Sequence, residues 1–391
     1  MKIKGRSRTS IWANEGRRTV TIIDQTLLPF SVGEHELASA AQAGEAIRAM
    51  RVRGAPLIGV TAAYGVAMAM QVDSTDGHLQ ETCAALRTTR PTAVNLAWAL
   101  DRMARLIARL PEPDRADAAW AWANAIAAED VATNEAIGRH GVKLIEDLHH
   151  QHRRKINILT HCNAGWLAAV DWGTALAPIY AAHDAGMEVH VWVEETRPRN
   201  QGLLTAWELR EHGVPHTYIV DNAGGYFMQQ GDVDIVIVGA DRVSRTGDVA
   251  NKIGTYLKAL AARDNDIPFY AAVPSSTIDW QLDDAMKEID IEERSADEIR
   301  TLRGQSSEGL TRDFRLLDEA TPVANPGFDV TPARLVTGII TEAGIAAPGG
   351  LAAFFNKDKC CHDLLQYQSH AAFRTAPQNN QHRAKNECAW D

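Results

Sequence analysis

Apolar residues along this chain recur with two different periods, and the change falls near residue 150. In the first 35 residues, short β-branched runs alternate around a glycine turn, which predicts small antiparallel strands. From there to about residue 150 the chain is rich in alanine and its apolar residues fall at helical spacing. The clearest stripe is Leu96, Leu100, Met103 and Ile107. We therefore predict an N-terminal domain of strands and helices over residues 1–150.

Beyond residue 150, short apolar segments alternate with segments of helical pattern. The strand-like segments are residues 156–162, 188–195, 215–222, 233–241 and 268–274. Near-continuous hydrophobic strands that alternate with helices are typical of a parallel sheet covered on both faces. The sequence therefore predicts an α/β fold with a Rossmann-like, doubly wound parallel sheet over residues 151–350. One predicted helix follows the first strand and ends near Gly186; another spans residues 250–263, with Ile253, Leu257 and Leu260 as its core stripe.

Composition and charge exclude several classes of protein. The 391 residues are 45% hydrophobic and 23% charged, as in ordinary globular proteins. With 40 basic and 50 acidic side chains the formal net charge is −10, which argues against a nucleic-acid or anionic-membrane partner. Residues 351–391 are rich in Gln, Asn and His, a composition that predicts a disordered tail, and we assign it no function.

Sequence motifs for metals, nucleotides and membranes are missing. The five cysteines, Cys83, Cys162, Cys360, Cys361 and Cys388, form no CxxC pair and no zinc-like cluster, and Cys83 is interpreted as a core residue. No GxGxxG follows the first strand and no GxxxxGK[ST] occurs, which argues against a dinucleotide enzyme or a P-loop NTPase. The uncharged run of residues 54–72 is interpreted as a buried core helix, and no signal peptide is seen. We expect a soluble, cytoplasmic protein.

Each predicted strand ends in a polar cluster, at the edge where ligands of open α/β sheets bind. Helix capping explains any one such cluster better than a site does, but five in succession favour a site. Cys162 lies at one strand end, before a predicted helix whose positive dipole end would favour a thiolate. From the residues alone, Cys162 could be a nucleophile, a base or an inert side chain.

Asp241 lies at another strand end, after an apolar run and the small pair Gly239-Ala240. One interpretation is a partly desolvated carboxyl group, whose pKa would be raised toward the range useful for a general acid. An ion pair with Arg242 is an interpretation of comparable weight.

Basic residues at three places are candidates for an anion site. Arg51 and Arg53 precede an apolar helix, and Arg90 precedes another. Asn251 and Lys252 are predicted to open a helix, and a helix N-terminus with a lysine in its first turn suits a phosphate. Each of these residues taken alone is most often a solvated surface charge.

Seven segments carry a resemblance to a known family. They are RVRGAPLIGVTAAYG (51–65), RPTAVNLAWALDRM (90–103), ILTHCNAG (158–165), EETRPRNQG (194–202), DNAGGYFM (221–228), GADRVSRTGDVANKIGTY (239–256) and DVTPARLVTGIITEAG (329–344). In this order they resemble the family that contains the regulatory subunits of the translation-initiation guanine-nucleotide exchange factor and archaeal ribose-1,5-bisphosphate isomerases. They are most similar to its catalytic branch, the methylthioribose-1-phosphate isomerases.

The resemblance implies the two-part fold predicted above and a cofactor-independent isomerisation of 5-methylthioribose 1-phosphate to 5-methylthioribulose 1-phosphate in methionine salvage. The family's catalytic pair falls on Cys162 and Asp241. Its substrate-binding positions fall on Arg53, Gly54, Ala55, Arg90, Gln201, Asn251 and Lys252. It also implies a homodimer. The alternatives are the same reaction on 5-deoxyribose 1-phosphate or ribose 1,5-bisphosphate, or a non-catalytic regulatory role.

The chemistry of this substrate explains the residue types. Because the phosphate blocks the anomeric carbon, ring opening needs an acid at the ring oxygen, a role that the resemblance assigns to Asp241. Hydrogen then moves from C2 to C1, either with Cys162 as base through an enediol-type intermediate or as a hydride while Cys162 stabilises the developing charge. Arg53, Arg90 and Lys252 would clamp the phosphate, and Gln201 would bond to sugar hydroxyls.

The residues after Cys162 depart from the family pattern. Trp166, Asp171 and Trp172 stand where small residues and a Gly-Tyr-Gly-Thr stretch are usual. They could reshape the pocket for the 5-substituent of the sugar, or pack in the core or a dimer interface. We favour packing.

Overall fold

The computed structural model describes residues 1–90 and 93–355. The strands are β1 (Lys2–Ile3), β2 (Arg6–Ser7), β3 (Ile11–Ala13), β4 (Val20–Ile23), β5 (Glu34–Leu37), β6 (Ile156–Thr160), β7 (Val189–Glu194), β8 (His216–Ile219), β9 (Ile235–Val238), β10 (Arg242–Ser244), β11 (Val249–Lys252), β12 (Phe269–Ala272), β13 (Ile278–Asp279), β14 (Thr301–Gln305), β15 (Thr311–Arg315), β16 (Phe328–Thr331), β17 (Gly338–Thr341) and β18 (Gly344–Ala346). The helices are α1 (Ala40–Arg48), α2 (Ala55–Val72), α3 (Asp76–Arg87), α4 (Val94–Ile107), α5 (Glu112–His152), α6 (Ala177–Asp184), α7 (Gly202–His212), α8 (Ala223–Gln229), α9 (Thr255–Asp264), α10 (Ala285–Glu288) and α11 (Asp297–Arg300). The predicted tail, with Cys360, Cys361 and Cys388, lies outside the described residues apart from residues 351–355.

Helix α2 is the centre of the N-terminal part. Its residues from Leu57 to Met70 are all buried, and α1, α3, α4 and α5 pack around it. It is long and apolar enough to cross a membrane, but 83% of it is buried inside the protein, as predicted for a core helix. The predicted stripe of α4 is buried as well. The short strands β3, β4 and β5 pair antiparallel beside these helices, which confirms that expectation.

The 41-residue helix α5 contributes to two hydrophobic cores. Ala119, Ala123 and Ile126, in its first half, join the core around α2. Ile137 and Ile145, in its second half, join the core beside the large sheet. The predicted boundary at residue 150 falls near the end of this shared helix, and the division into two domains stays a prediction.

A seven-stranded sheet lies at the centre of the C-terminal part, in the order β18-β17-β12-β9-β6-β7-β8. The strands from β17 to β8 are parallel, and the edge strand β18 runs antiparallel to β17. Read from β8, the parallel strands have the order 3-2-1-4-5-6 of doubly wound sheets. All residues of β9 are buried, as in a strand covered on both faces. The predicted α/β fold is confirmed.

Two predicted helices differ from the structure. The segment after β6 does not form one helix up to Gly186: it holds a single 3-10 turn, Trp166–Ala168, and becomes α-helical at α6. Gly165 and Gly173 pair in an antiparallel bridge, and this bridge closes the segment into a loop.

Residues 250–263 are likewise not one helix. Asn251 and Lys252 end strand β11, and α9 begins only at Thr255, so the predicted core stripe is wrong and Leu257 is exposed. The reason is tertiary: β11 pairs antiparallel with β16, with Asn251 opposite Asp329 and Lys252 opposite Phe328. This pairing belongs to a four-stranded sheet, β13-β10-β11-β16.

Candidate active site

The strand order of the large sheet reverses between β6 and β9, and segments that follow two such strands diverge to leave a crevice. Cys162 follows β6 and Asp241 follows β9. Both line one cavity. The same cavity is lined by the other predicted residues: Arg53, Gly54, Ala55, Arg90, Gln201, Asn251 and Lys252. The fold thus brings together residues that lie far apart along the chain.

Cys162 is held in a left-handed backbone conformation, with φ at 69°. Its N–H donates to Thr196 Oγ1 over 2.8 Å, and its carbonyl accepts from Thr205 Oγ1 over 2.8 Å. Because a loop and not a helix follows it, the predicted dipole effect on the thiol is wrong. Burial raises the pKa of the Cys162 thiol, and the positive charges of Arg53 and Lys252 oppose that shift.

The carboxyl of Asp241 faces the same cations. Burial raises its pKa, and Lys252, Arg90 and Arg53 act to lower it. The alternative interpretation, an ion pair with Arg242, is wrong, because the Arg242 guanidinium bonds to Asp279 on β13. Asp241 is anchored through its backbone, whose N–H donates to the Ala250 carbonyl over 3.0 Å.

Arg53 enters the cavity from the segment just before α2. Its Nη1 donates to Asn163 Oδ1 over 2.9 Å, and burial lowers the pKa of its guanidinium. Gly54, the N-cap residue of α2, has φ at 92°, and a Cβ there would collide with the backbone of Ala168. Glycine at this position therefore lets the start of α2 approach the loop that carries Cys162.

Arg90 and Lys252 supply two further positive charges to the cavity. Burial lowers the pKa of each of them, whereas Asp241 acts to raise both. Lys252 Nζ donates to the Gly327 carbonyl over 2.8 Å and lies 4.6 Å from the centre of the Phe328 ring. The ring and the carbonyl fix the ammonium within the cavity.

Two amide side chains complete the predicted set. Gln201 precedes α7, and its Oε1 is buried without a hydrogen-bond partner among the described residues. A buried, unpaired carbonyl oxygen is suited to accept from a ligand hydroxyl. Asn251 Nδ2 donates to Thr255 Oγ1 over 3.0 Å, which ties the end of β11 to the start of α9.

Sequence reasoning missed several residues that line the cavity. Arg199 and Arg294 add two guanidinium groups, and both bond to Glu298. Burial acts to raise the pKa of Glu298, but the hydrogen bonds from Arg294 and Arg199 outweigh it and lower the pKa to about 2. Arg199 lies within the family segment EETRPRNQG, and this position could have marked it as a candidate site residue. Arg294 lies in an acidic stretch that no pattern distinguishes.

A second cluster, formed by the buried His161 and Glu194 and the partly buried Asp221, lies next to Cys162. These residues offer ligand atoms at metal-binding distance from one another. Lys258 Nζ, however, lies 3.3 Å from Glu194 Oε2, and His161 Nδ1 lies 2.7 Å from the same oxygen. The ammonium already supplies a counter-charge to the carboxylate, so we assign this cluster no metal.

The tryptophans that depart from the family pattern pack in the protein. Trp166 is fully buried, with its ring centre 6.1 Å from that of Trp207. Trp172 packs at the edge of the same core. Cys83 is buried too, as expected.

The chain matches a sequence profile, single protein sequences and solved structures. The sequence profile described as the Initiation factor 2 subunit family matches residues 51–348. Methylthioribose-1-phosphate isomerase of Acidiphilium cryptum (strain JF-5) is 61% identical over 359 residues, which are 91% of this chain and 98% of that protein. Among solved structures, 5-methylthioribose 1-phosphate isomerase from Pyrococcus horikoshii OT3 is 38% identical with a TM-score of 0.77, covering 90% of this chain and 96% of that one.

A protein of a different name has nearly the same degree of similarity. The translation initiation factor eIF-2B, subunit delta, from A. fulgidus is 38% identical with a TM-score of 0.73, covering 88% of this chain and 97% of that one. Since differently named proteins share the fold, the fold alone does not decide the function, and the site has to.

Proposed function

The chain belongs to the Initiation factor 2 subunit family, as its sequence segments predicted, and we propose a reaction for it. The reaction is the isomerisation of 5-methylthioribose 1-phosphate to 5-methylthioribulose 1-phosphate. One observation carries this proposal: Cys162 and Asp241 line the same cavity as Arg53, Arg90 and Lys252. An acid, a thiol and a cluster of cations are what a sugar 1-phosphate needs in order to be bound and opened. A purely regulatory protein has no need to bury such a set.

The reaction begins with ring opening. Asp241, whose pKa is raised by burial, donates a proton to the ring oxygen, and the bond between that oxygen and C1 breaks. Arg53, Arg90 and Lys252 hold the phosphate, and the unpaired Oε1 of Gln201 accepts from a sugar hydroxyl. The phosphate stays on C1 throughout.

Hydrogen then moves from C2 to C1, and the 2-hydroxyl loses its proton as the ketone forms. Burial keeps Cys162 in its thiol form at neutral pH, since the pKa of the thiol is raised, and a thiol is a poor base. We therefore favour a hydride shift, in which Cys162 stabilises the developing charge, over an enediol formed by proton removal. The carboxylate of Asp241, left by the first step, is the acceptor we propose for the 2-hydroxyl proton.

The assay uses the purified chain and the substrate with no added cofactor, and follows ketose formation. Turnover is expected, and Cys162→Ala and Asp241→Ala should each reduce kcat by ~10²–10⁴-fold. No turnover, or full turnover in either variant, contradicts the proposal. Substrate carrying deuterium at C2 separates the two routes: a hydride shift keeps the deuterium in the product, whereas an enediol exchanges it with water.

The preferred 5-substituent, the cellular place and the assembly belong to the same proposal. We propose that the methylthio sugar is preferred over 5-deoxyribose 1-phosphate and ribose 1,5-bisphosphate, since the isomerases compared above are named for it. A ratio of kcat/KM values decides this preference. We further propose a cytoplasmic homodimer that acts in methionine salvage, as the family resemblance implies; sedimentation of the purified chain tests the dimer.

A further inference from the structure

Glu208 on α7 is a buried carboxylate that the proposed mechanism does not use. Its side chain is fully buried, and the groups around it donate to it. Asn163 Nδ2 donates to Oε1 over 2.7 Å, the Leu167 N–H donates to Oε1 over 3.3 Å, and the Tyr180 hydroxyl donates to Oε2 over 3.1 Å. Burial raises the pKa of Glu208 to about 7, against the lowering effect of these bonds. Burying a carboxyl group is costly, and these hydrogen bonds offset part of that cost.

Asn163 connects Glu208 to the cavity. Its Nδ2 faces Glu208 and, at 3.1 Å, Thr205 Oγ1, while its Oδ1 accepts from Arg53 Nη1. If the amide were turned around, its oxygen would face the carboxylate and its NH2 group would face the guanidinium. Glu208 therefore determines which end of the amide meets Arg53.

Helix α7 also holds the backbone of the loop that carries Cys162. Thr205, one turn before Glu208, donates to the Cys162 carbonyl. Gly165 leaves room for the carboxylate, because a Cβ there would collide with Glu208. One face of α7 thus fixes both the loop and the amide that it carries.

We infer that Glu208 is a positioning residue: acting through Asn163, it orients the Arg53 guanidinium for the phosphate and does not itself contact the substrate. This inference rests on the proposed function, since it takes Arg53 to be a phosphate ligand. The competing explanation is that Glu208 only stabilises the packing of α7.

The experiment measures the Kd of inorganic phosphate by calorimetry, together with Tm, kcat and KM. Glu208→Met removes the acceptor at similar volume, and Glu208→Gln retains one. The Met variant should weaken phosphate binding and raise KM by ~10-fold with a smaller change in kcat, and the Gln variant should restore both to within about threefold of wild type. Tyr180→Phe is the matched control: it removes a different bond to Glu208 and should lower Tm while leaving Kd unchanged.

A double-mutant cycle decides whether the effect passes through Arg53. In an Arg53→Ala background, Glu208→Met should no longer change the Kd of phosphate. An equal loss in both backgrounds, or no loss in either, overturns the inference. If Glu208→Met does not fold, Asn163→Ala breaks the same connection and is judged by the same cycle.

Because phosphate binding is measured without turnover, this test can fail or succeed independently of the proposed reaction. If the wild type binds phosphate through Arg53 but turns over no methylthioribose 1-phosphate, the proposed reaction fails and the positioning role of Glu208 still stands. If turnover occurs and Glu208→Met leaves Kd and KM unchanged, the positioning role fails and the reaction still stands.

Discussion

The carboxyl of Asp241 is an acid kept among cations. Lys252, Arg90 and Arg53 all favour its ionised form, yet burial has the larger effect and its pKa is raised. A bound phosphate would offset these cations with negative charge, which would raise the pKa further. In the proposed reaction, the bound phosphate therefore helps to keep the proton on Asp241, the group proposed to donate it.

This balance predicts the pH dependence of the rate. An acid must be protonated to act, so kcat/KM should fall as pH rises through the raised pKa of Asp241 in the free enzyme. The corresponding fall in kcat should lie at higher pH, because the phosphate is then bound. In Lys252→Met, which removes a charge that lowers this pKa, the fall in kcat/KM should move to higher pH. A pH–rate profile in which it stays or moves lower would contradict the role given to Asp241.

At the scale of elements, the approach of α2 to the loop after β6 depends on one glycine. Gly54 has a positive φ and lies against the backbone of Ala168. Gly54→Ala should therefore cost at least ~2 kcal/mol of unfolding free energy and reduce turnover, because Arg53 adjoins the displaced segment. Urea denaturation and the isomerase assay measure the two effects.

Gly77→Ala is the matched control for that substitution. Gly77 is exposed in α3 and a Cβ there meets nothing within 4 Å. Alanine at this position should add about 0.5 kcal/mol of stability and leave turnover unchanged. Equal effects of the two substitutions would contradict the inference that the close approach of α2 to Ala168 requires glycine at position 54.

The elements that could be predicted from the sequence are those set by local pattern. The hydrophobic composition of Ile235–Val238 predicts a buried strand, and the helical spacing of apolar residues predicts the buried stripe of α4. Cys162 and Asp241 were predicted because ligands bind at strand ends, and the basic candidates because they lie at predicted helix starts. The family segments added Gly54, Ala55 and Gln201.

What could not be predicted depends on distant partners. Asn251 and Lys252 form a strand because they pair with Asp329 and Phe328, far along the chain. Arg294 lines the cavity because the tertiary fold brings its segment there. Glu208 gains its contacts only when α7 packs against the loop that carries Cys162. No local window of sequence contains either relation.

At the scale of the whole molecule, a buried carboxyl group on α5 contacts the loop that carries Cys162, and its burial makes stability depend on pH. Asp130 Oδ2, on α5, accepts from the Val170 N–H over 2.7 Å. Burial raises the pKa of Asp130 from its ordinary value of 3.8 to about 7. The contribution of Asp130 to the free energy of unfolding is therefore fully present below its pKa in the unfolded chain. It is lost as pH rises through its pKa in the folded protein.

The substitution Asp130→Asn tests this link. Between about pH 5 and pH 8 the wild type should lose up to about 3 kcal/mol of unfolding free energy relative to the variant, whose amide does not titrate. Urea denaturation at several pH values gives both curves. Parallel curves would mean that Asp130 does not titrate in this range.

Helix α5 runs for about 60 Å at the usual rise of 1.5 Å per residue, and its two halves are built into different cores. Neither core can melt without exposing apolar residues of a helix that the other core still holds. We therefore expect calorimetry to give one cooperative transition, with equal van't Hoff and calorimetric enthalpies, where two independently folding halves would give two. The crevice that holds Cys162 and Asp241 is then expected to be lost in the same step as the helices packed around α2, wherever in the chain unfolding begins.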